Sequence, residues 1–227
     1  MDWSGLAYPV LVWLHLLLFV LWLGADVGVF LLGQHFRKRQ VYSLDQRIAL
    51  LKLLVVVDLV PRVAWALMVP VSLSVLRGGM WWEVPLPLIG AAWALGLGWT
   101  WLILDSHKHD QTPRAARNRR VEWLLKLVLT AFYLWLGIQS LAIAAPLAPV
   151  WLAWKALLFG GIFLAAMMID IAFKPVGPLL VRLLKEGSSD ETEVPLRRVM
   201  DRTRLWVWTV YLLLLVTSFL GSVKPNL

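Results

Sequence analysis

The run VPLPLIGAAWALGLGWTWLIL, residues 84–104, carries no Asp, Glu, Lys or Arg at any position. A helix rises ~1.5 Å per residue and a bilayer's hydrocarbon core is ~30 Å thick, so ~20 apolar residues are enough to cross it. No water in that core can bond an exposed peptide group, so the crossing segment must satisfy its backbone internally, as a helix does. Leu127–Val150 and Leu205–Val223 are equally free of charge. Three further apolar stretches bring the expected spans to six, at 8–32, 50–76, 84–105, 121–145, 151–173 and 204–223. The expected fold is an all-α, six-helix transmembrane bundle forming one integral membrane domain over residues 1–227, with an interfacial segment at 175–203 on its cytoplasmic side.

Composition agrees. Of the 227 residues 60% are hydrophobic and only 16% charged, and the mean hydropathy is +0.72; a soluble domain of this size carries about 25% charge. Fifteen Trp in so apolar a chain argue against disorder. The absence of Cys removes disulfides, thiolate zinc sites, iron–sulfur clusters and c-type haem attachment. The first apolar stretch is too long for a signal-peptide core, follows Asp2 rather than a basic patch and precedes no small-residue cleavage site, so it is expected in the mature protein.

The net charge of +8 is explained by topology. Loops after the first, third and fifth spans hold sixteen Lys and Arg, from Arg37 to Arg204, while the opposite side holds only Arg77 and Lys224. Basic loops stay cytoplasmic, which places both termini outside, in the periplasm of a bacterial inner membrane. The basic clusters face anionic lipid and come with no nucleic-acid recognition module; the expected partners are the bilayer and other membrane proteins or further copies of the chain. Trp3, Trp81, Trp82, Trp151 and Trp154 fall at the outer boundary and Trp99, Trp101, Trp123, Trp206 and Trp208 at the inner one, the positions of interfacial aromatic belts. In the loop after the fifth span, VGPLLVRLLKEG reads as an amphipathic interfacial piece and SSDETEVP as a polar turn. No fixed-period repeat, phosphate loop or nucleophile elbow occurs.

Ionisable groups deep in a span are costly, and each is a functional candidate. They are His15, Asp26, Asp58, Arg62, Lys155 and Asp170; Lys52, Asp105 and Lys126 sit near span ends and are expected to snorkel. Counting inward places His15, Lys155 and Met68 in the outer leaflet, Arg62 near the middle and Asp26, Asp58 and Asp170 in the inner half. At ~100° per residue His15, Trp22 and Asp26 share one helix face. Asp58 and Arg62 form an i,i+4 pair with Pro61 between them to kink the helix. That pair either offsets its own insertion cost or lets Arg62 hold a carboxylate or quinone oxygen. His15 suits an iron or copper ligand, an interhelical hydrogen bond or a proton relay. Lys155 either snorkels between Trp151 and Trp154 or binds an anionic group, Asp170 is expected to pair with Lys174, and Met68 is a packing residue or a soft ligand. His107, Lys108, His109 and Asp110 read as a solvated loop rather than a metal site.

Two motifs carry a resemblance. AYPVLVWLHLLLFVLWLGAD, residues 7–26, resembles the first helix of HemJ-type protoporphyrinogen oxidases and the related CopD-type membrane domains in its Leu14, His15, Trp22 and Gly24. WLAWKALL, residues 151–158, is similar to the same families' Trp-Leu-x-x-Lys-x-x-Leu and aligns their functional lysine with Lys155. QRIALLKLLVVVDLVPR is loosely like their second helix, and Glu193–Pro195 and Lys224-Pro225 echo the end of HemJ proteins. The likeness covers about half the chain, with the third and fourth helices inserted relative to a four-helix HemJ core. It implies a haem-b-binding membrane oxidoreductase that passes electrons from a hydrophobic or porphyrin-like donor towards quinone. In it His15 binds iron and Lys155 is essential nearby; the depth of the other groups adds Met68 as a further candidate ligand, Arg62 beside Lys155 to hold substrate carboxylates or a haem propionate, and Asp26 and Asp58, which are not part of the families' pattern, as proton relays. Copper, ion or proton transport is the rival expectation, and a structural subunit of a membrane assembly is the third.

Overall fold

The computed structural model describes residues 3–226, with side chains from residue 6 onward, so Asp2 and the Trp3 indole lie outside the described residues. Eight helices follow one another: α1 (Trp3–Phe36), α2 (Leu44–Val57), α3 (Leu59–Gly78), α4 (Leu86–Lys108), α5 (Pro113–Ile143), α6 (Val150–Phe173), α7 (Val176–Glu186) and α8 (Asp190–Val223). No strand occurs among the described residues. Taking α2 with α3 and α6 with α7, they make 6 segments long and apolar enough to cross a bilayer, and the protein is an all-α, multi-pass membrane protein. Large apolar side chains such as Trp13, Val20 and Leu212 are exposed, as the lipid-facing side of a spanning helix must be.

The helices overrun the expected spans at their polar ends. α5 begins at Pro113 rather than at 121, and α8 at Asp190 rather than at 204. For α8 the reason is local: the Thr192 hydroxyl accepts from the Ser189 N–H at 3.0 Å, and Asp190, Glu191 and Glu193 place negative charge at the helix's positive end. The stretch expected as a polar turn is therefore mostly the first two turns of a helix. The 50–76 span is also two helices, with the break at Asp58. Pro61 has no N–H for the Val57 carbonyl, so the ladder is interrupted one turn before the proline.

The chain forms two compact units. The first comprises Met1–His35 and Ala49–Glu122. Here α3 packs on α4, with Ala64, Ala66, Val69, Val71 and Leu73 of α3 buried. Gly96 makes the approach possible, since a Cβ there would stand 2.8 Å from Pro70 Cγ and 3.1 Å from the Ala66 carbonyl. The second unit comprises Phe36–Ile48 and Trp123–Leu227. α6 and the amphipathic α7 both pack on α8. α5 and α6 cross at a reciprocal glycine contact: a Cβ on Gly137 would lie 2.6 Å from the Leu157 backbone, and one on Gly160 2.9 Å from the Leu134 nitrogen. Small residues let helices approach where lipid supplies no hydrophobic drive. Beside this crossing Tyr133 stacks on Phe163 at 6.0 Å and meets Phe159 edge-on at 4.7 Å.

Because backbone cannot move aside as a flexible side chain can, Gly137→Ala is expected to destabilise the protein by about 1–3 kcal/mol. Gly98, which has nothing within 4 Å of an added Cβ, is the control; Gly98→Ala should leave the melting temperature unchanged or slightly higher. Thermal unfolding of the detergent-solubilised variants measures both.

Candidate functional site

In α1 the buried positions next to His15 are Leu18 and Trp22, three and seven residues on, whereas Trp13, Leu16 and Val20 are exposed. That spacing puts His15 on the inward stripe rather than the lipid face. His15 is half-buried and its Nδ1 is fully shielded from solvent. Trp22 stacks on Trp65 of α3 with ring centroids 5.6 Å apart, and Trp65 meets Trp99 of α4 at 5.1 Å. Three indoles thus run across α1, α3 and α4. Asp26 is half-buried one turn beyond Trp22, and Met68, 4% exposed, lies three residues after Trp65 on α3.

The third indole leads to a charged centre. Trp99 is 1% exposed, so it is not a belt anchor as expected; its Nε1–H donates to Glu122 Oε2 at 3.3 Å. Arg62 donates to the same oxygen at 2.8 Å and stands 3.9 Å from Asp58. The i,i+4 pair of Asp58, at the break before α3, with Arg62 is therefore the looser of two contacts, and the tighter one reaches α5. Glu122 was not legible as a site residue while the span was expected to begin at 121. With α5 starting at Pro113, Glu122 is nine residues, about 14 Å, along the helix.

Lys155 belongs to the second unit, His15 to the first. The Lys155 ammonium occupies the space beside Gly221 of α8, 2.3 Å from where a Cβ would stand. It forms no hydrogen bond or ion pair among the described residues. One turn earlier on α6, Trp151 lies under the Lys224 ammonium at 5.9 Å. Trp151, Lys155 and Lys224 thus gather an indole and two cations at one end of α6 and α8.

At the basic ends of the helices the charges are knotted. Asp105, expected to snorkel, is buried and accepts from Arg114 at 2.5 and 2.7 Å and from Asn118 at 2.7 Å. His109 Nδ1 stands 3.2 Å from the same carboxylate, so half of the His-x-His string serves the α4–α5 turn. Partial burial acts to raise the neighbouring Asp110 carboxyl, but hydrogen bonds from Arg119 and Gln111 outweigh it and hold the group below the ordinary carboxylate range. In the second unit Asp170 pairs with Lys126 of α5 at 2.6 Å instead of Lys174, so Lys126 is a helix-to-helix tie. Arg47 is 1% exposed and grips 4%-exposed Glu193 with two nitrogens, at 2.5 and 2.9 Å, while its Nε donates to the Phe36 carbonyl. In the sequence Arg47 is one of several loop charges, and Glu193 lies in the expected turn. A Glu in the first turn after a Ser-x-x-Thr cap was the available signal. Among the described residues no three His, Asp or Glu side chains converge as a metal-binding group.

Truncating one member of a buried ion pair strands the other. Arg47→Ala is expected to cost about 3–5 kcal/mol in stability, and Arg47→Met with Glu193→Leu to recover most of it, as read by thermal unfolding in detergent. No family model matches the chain, and neither the curated proteins nor the solved structures contain a significant match to it.

Proposed function

We propose that the protein is a haem-b-binding oxidoreductase of the bacterial inner membrane, with its termini in the periplasm, that passes electrons from a hydrophobic or porphyrin-like donor towards quinone. The observation that carries this reading is the inward stripe of α1, on which His15 lines up with Leu18 and Trp22 instead of facing lipid. The donor set suits an iron-bound imidazole. The His15 Nδ1 is shielded from solvent, and in this reading the imidazole would hold the iron. Haem b, when bound, supplies the one-electron chemistry. The chain's own residues bind and orient. Lys155, an ammonium with no bonded carboxylate, is suited to a substrate carboxylate or a propionate. Arg62 has the donor fork for the same task but is engaged by Glu122, so in this reading it acts as a positioning group. Met68 is the buried soft side chain of the same unit and a candidate second ligand. Asp26 and Asp58 hold or move protons in the inner half.

A second reading, proton or metal-ion movement, draws on the charged centre at Arg62 and Glu122. Visible absorption of the purified protein separates the two. A Soret band that is lost in His15→Ala and kept in Lys155→Ala supports the haem reading. Lys155→Ala should then weaken binding of a dicarboxylic porphyrin by about ten- to a hundredfold, the worth of one charge-assisted hydrogen bond. Copper uptake with no chromophore supports the second reading, and neither signal with co-purifying membrane proteins points to a structural subunit.

A further inference from the structure

Three acids are buried among the described residues: Asp105, Glu122 and Glu193. Two of them use both oxygens. Asp105 accepts from Arg114 at each oxygen and from Asn118 at one. Glu193 accepts from Arg47 at each oxygen and from Ser188 at one. Glu122 differs. Its Oε2 takes both the Arg62 and the Trp99 hydrogen bonds, while its Oε1 is shielded from solvent and accepts from none of the described residues. A shielded carboxylate oxygen with no donor is costly when the group is ionised, and less so once a proton neutralises the charge.

We propose that Glu122 is a proton-exchange site, taking up one proton at Oε1 and giving it back, with Arg62 passing between Glu122 and Asp58 as the counter-ion. On uptake from hydronium, one of its O–H bonds breaks to leave water, an O–H bond forms at Oε1, and the carboxylate loses its charge. Arg62 keeps its own proton, and Asp58, already 3.9 Å away at the break before α3, receives the guanidinium. Release reverses both movements. Arg62 and Asp58 are each 36% exposed, so neither is packed immovably. Two basic neighbours of Glu122 along α5 have acids of their own. On α5, Arg119 binds Asp110 and Lys126 binds Asp170, while Asn118 ties α5 to Asp105 of α4. Trp99 is the α4 side chain bonded to the carboxylate and does not titrate at physiological pH, and α1 contributes Asp26 to the same unit. This site holds whether or not His15 binds a metal.

The test uses the full chain in detergent or lipid nanodiscs. Dicyclohexylcarbodiimide, an apolar reagent that modifies protonated carboxyls, is mapped by peptide mass, and infrared spectra are recorded for the carboxylic C=O band that shifts in D2O. Glu122 is expected to take the adduct, faster at lower pH, and both adduct and band should vanish in Glu122→Gln. Arg62→Gln, which removes the counter-ion, should speed labelling by about tenfold, and Asp58→Asn, which removes the carboxylate that draws Arg62 away from Glu122, should slow it. A merely structural Glu122 would answer neither change. If Glu122→Gln fails to fold, mapping the wild-type chain against Arg62→Gln decides the question. An exchangeable band assigned to Glu122, or the adduct alone, supports the proposal. Absence of both at every pH where the protein stays folded overturns it.

Discussion

Inside hydrocarbon a polar group has no water to fall back on, and this constraint explains the arrangement of nearly every charge in the chain. Peptide groups are bonded within helices, and the acids that enter the protein are gripped by cations on other elements: Glu193 by Arg47, Asp105 by Arg114, Asp170 by Lys126. Such pairs contribute little net attraction beyond their desolvation, but they fix which helix end meets which, because a misplaced partner would leave a bare charge. The apolar faces do the complementary work. The Gly137–Gly160 crossing sets how closely α5 and α6 approach, and the Gly96 contact does the same for α3 and α4.

Against this background three groups stand apart. His15 lies on an inward face with one nitrogen shielded, Lys155 sits against Gly221 without an acid, and Glu122 keeps one oxygen unbonded. The Trp22–Trp65–Trp99 series connects the His15 face of α1 to Glu122 through side-chain contact within one unit.

The spans were legible because their signal is a sum over about twenty residues, which no single substitution hides. The break at Asp58 was partly legible, since Pro61 announces a lost N–H, though not the residue at which the helix parts. The polar ends were not. RNRRVEWLL and DETEVPLRR look like loop to any measure of hydropathy, yet both are helical, and depth counted from a boundary set too deep in the helix removes Glu122 and Glu193 from consideration. Asp105 and Trp99 depart from expectation for the same reason: residues near a span end are ordinarily interfacial, and only packing reveals that these two are buried. His15, Asp58, Arg62 and Lys155 were visible as charges out of place, but their partners are set by helix crossings that the chain does not spell out.

The length of α8 has a mechanical result. Its 34 residues extend roughly 50 Å, some 20 Å more than the oily layer it traverses. The surplus is a charge-studded overhang held near its tip by Glu193 and further along by Asp201, each tied to an arginine in α2 or just beyond α1. A membrane that thickens or thins can slide along this overhang without unwinding the helix, so the packing inside is insulated from the lipid mixture around it.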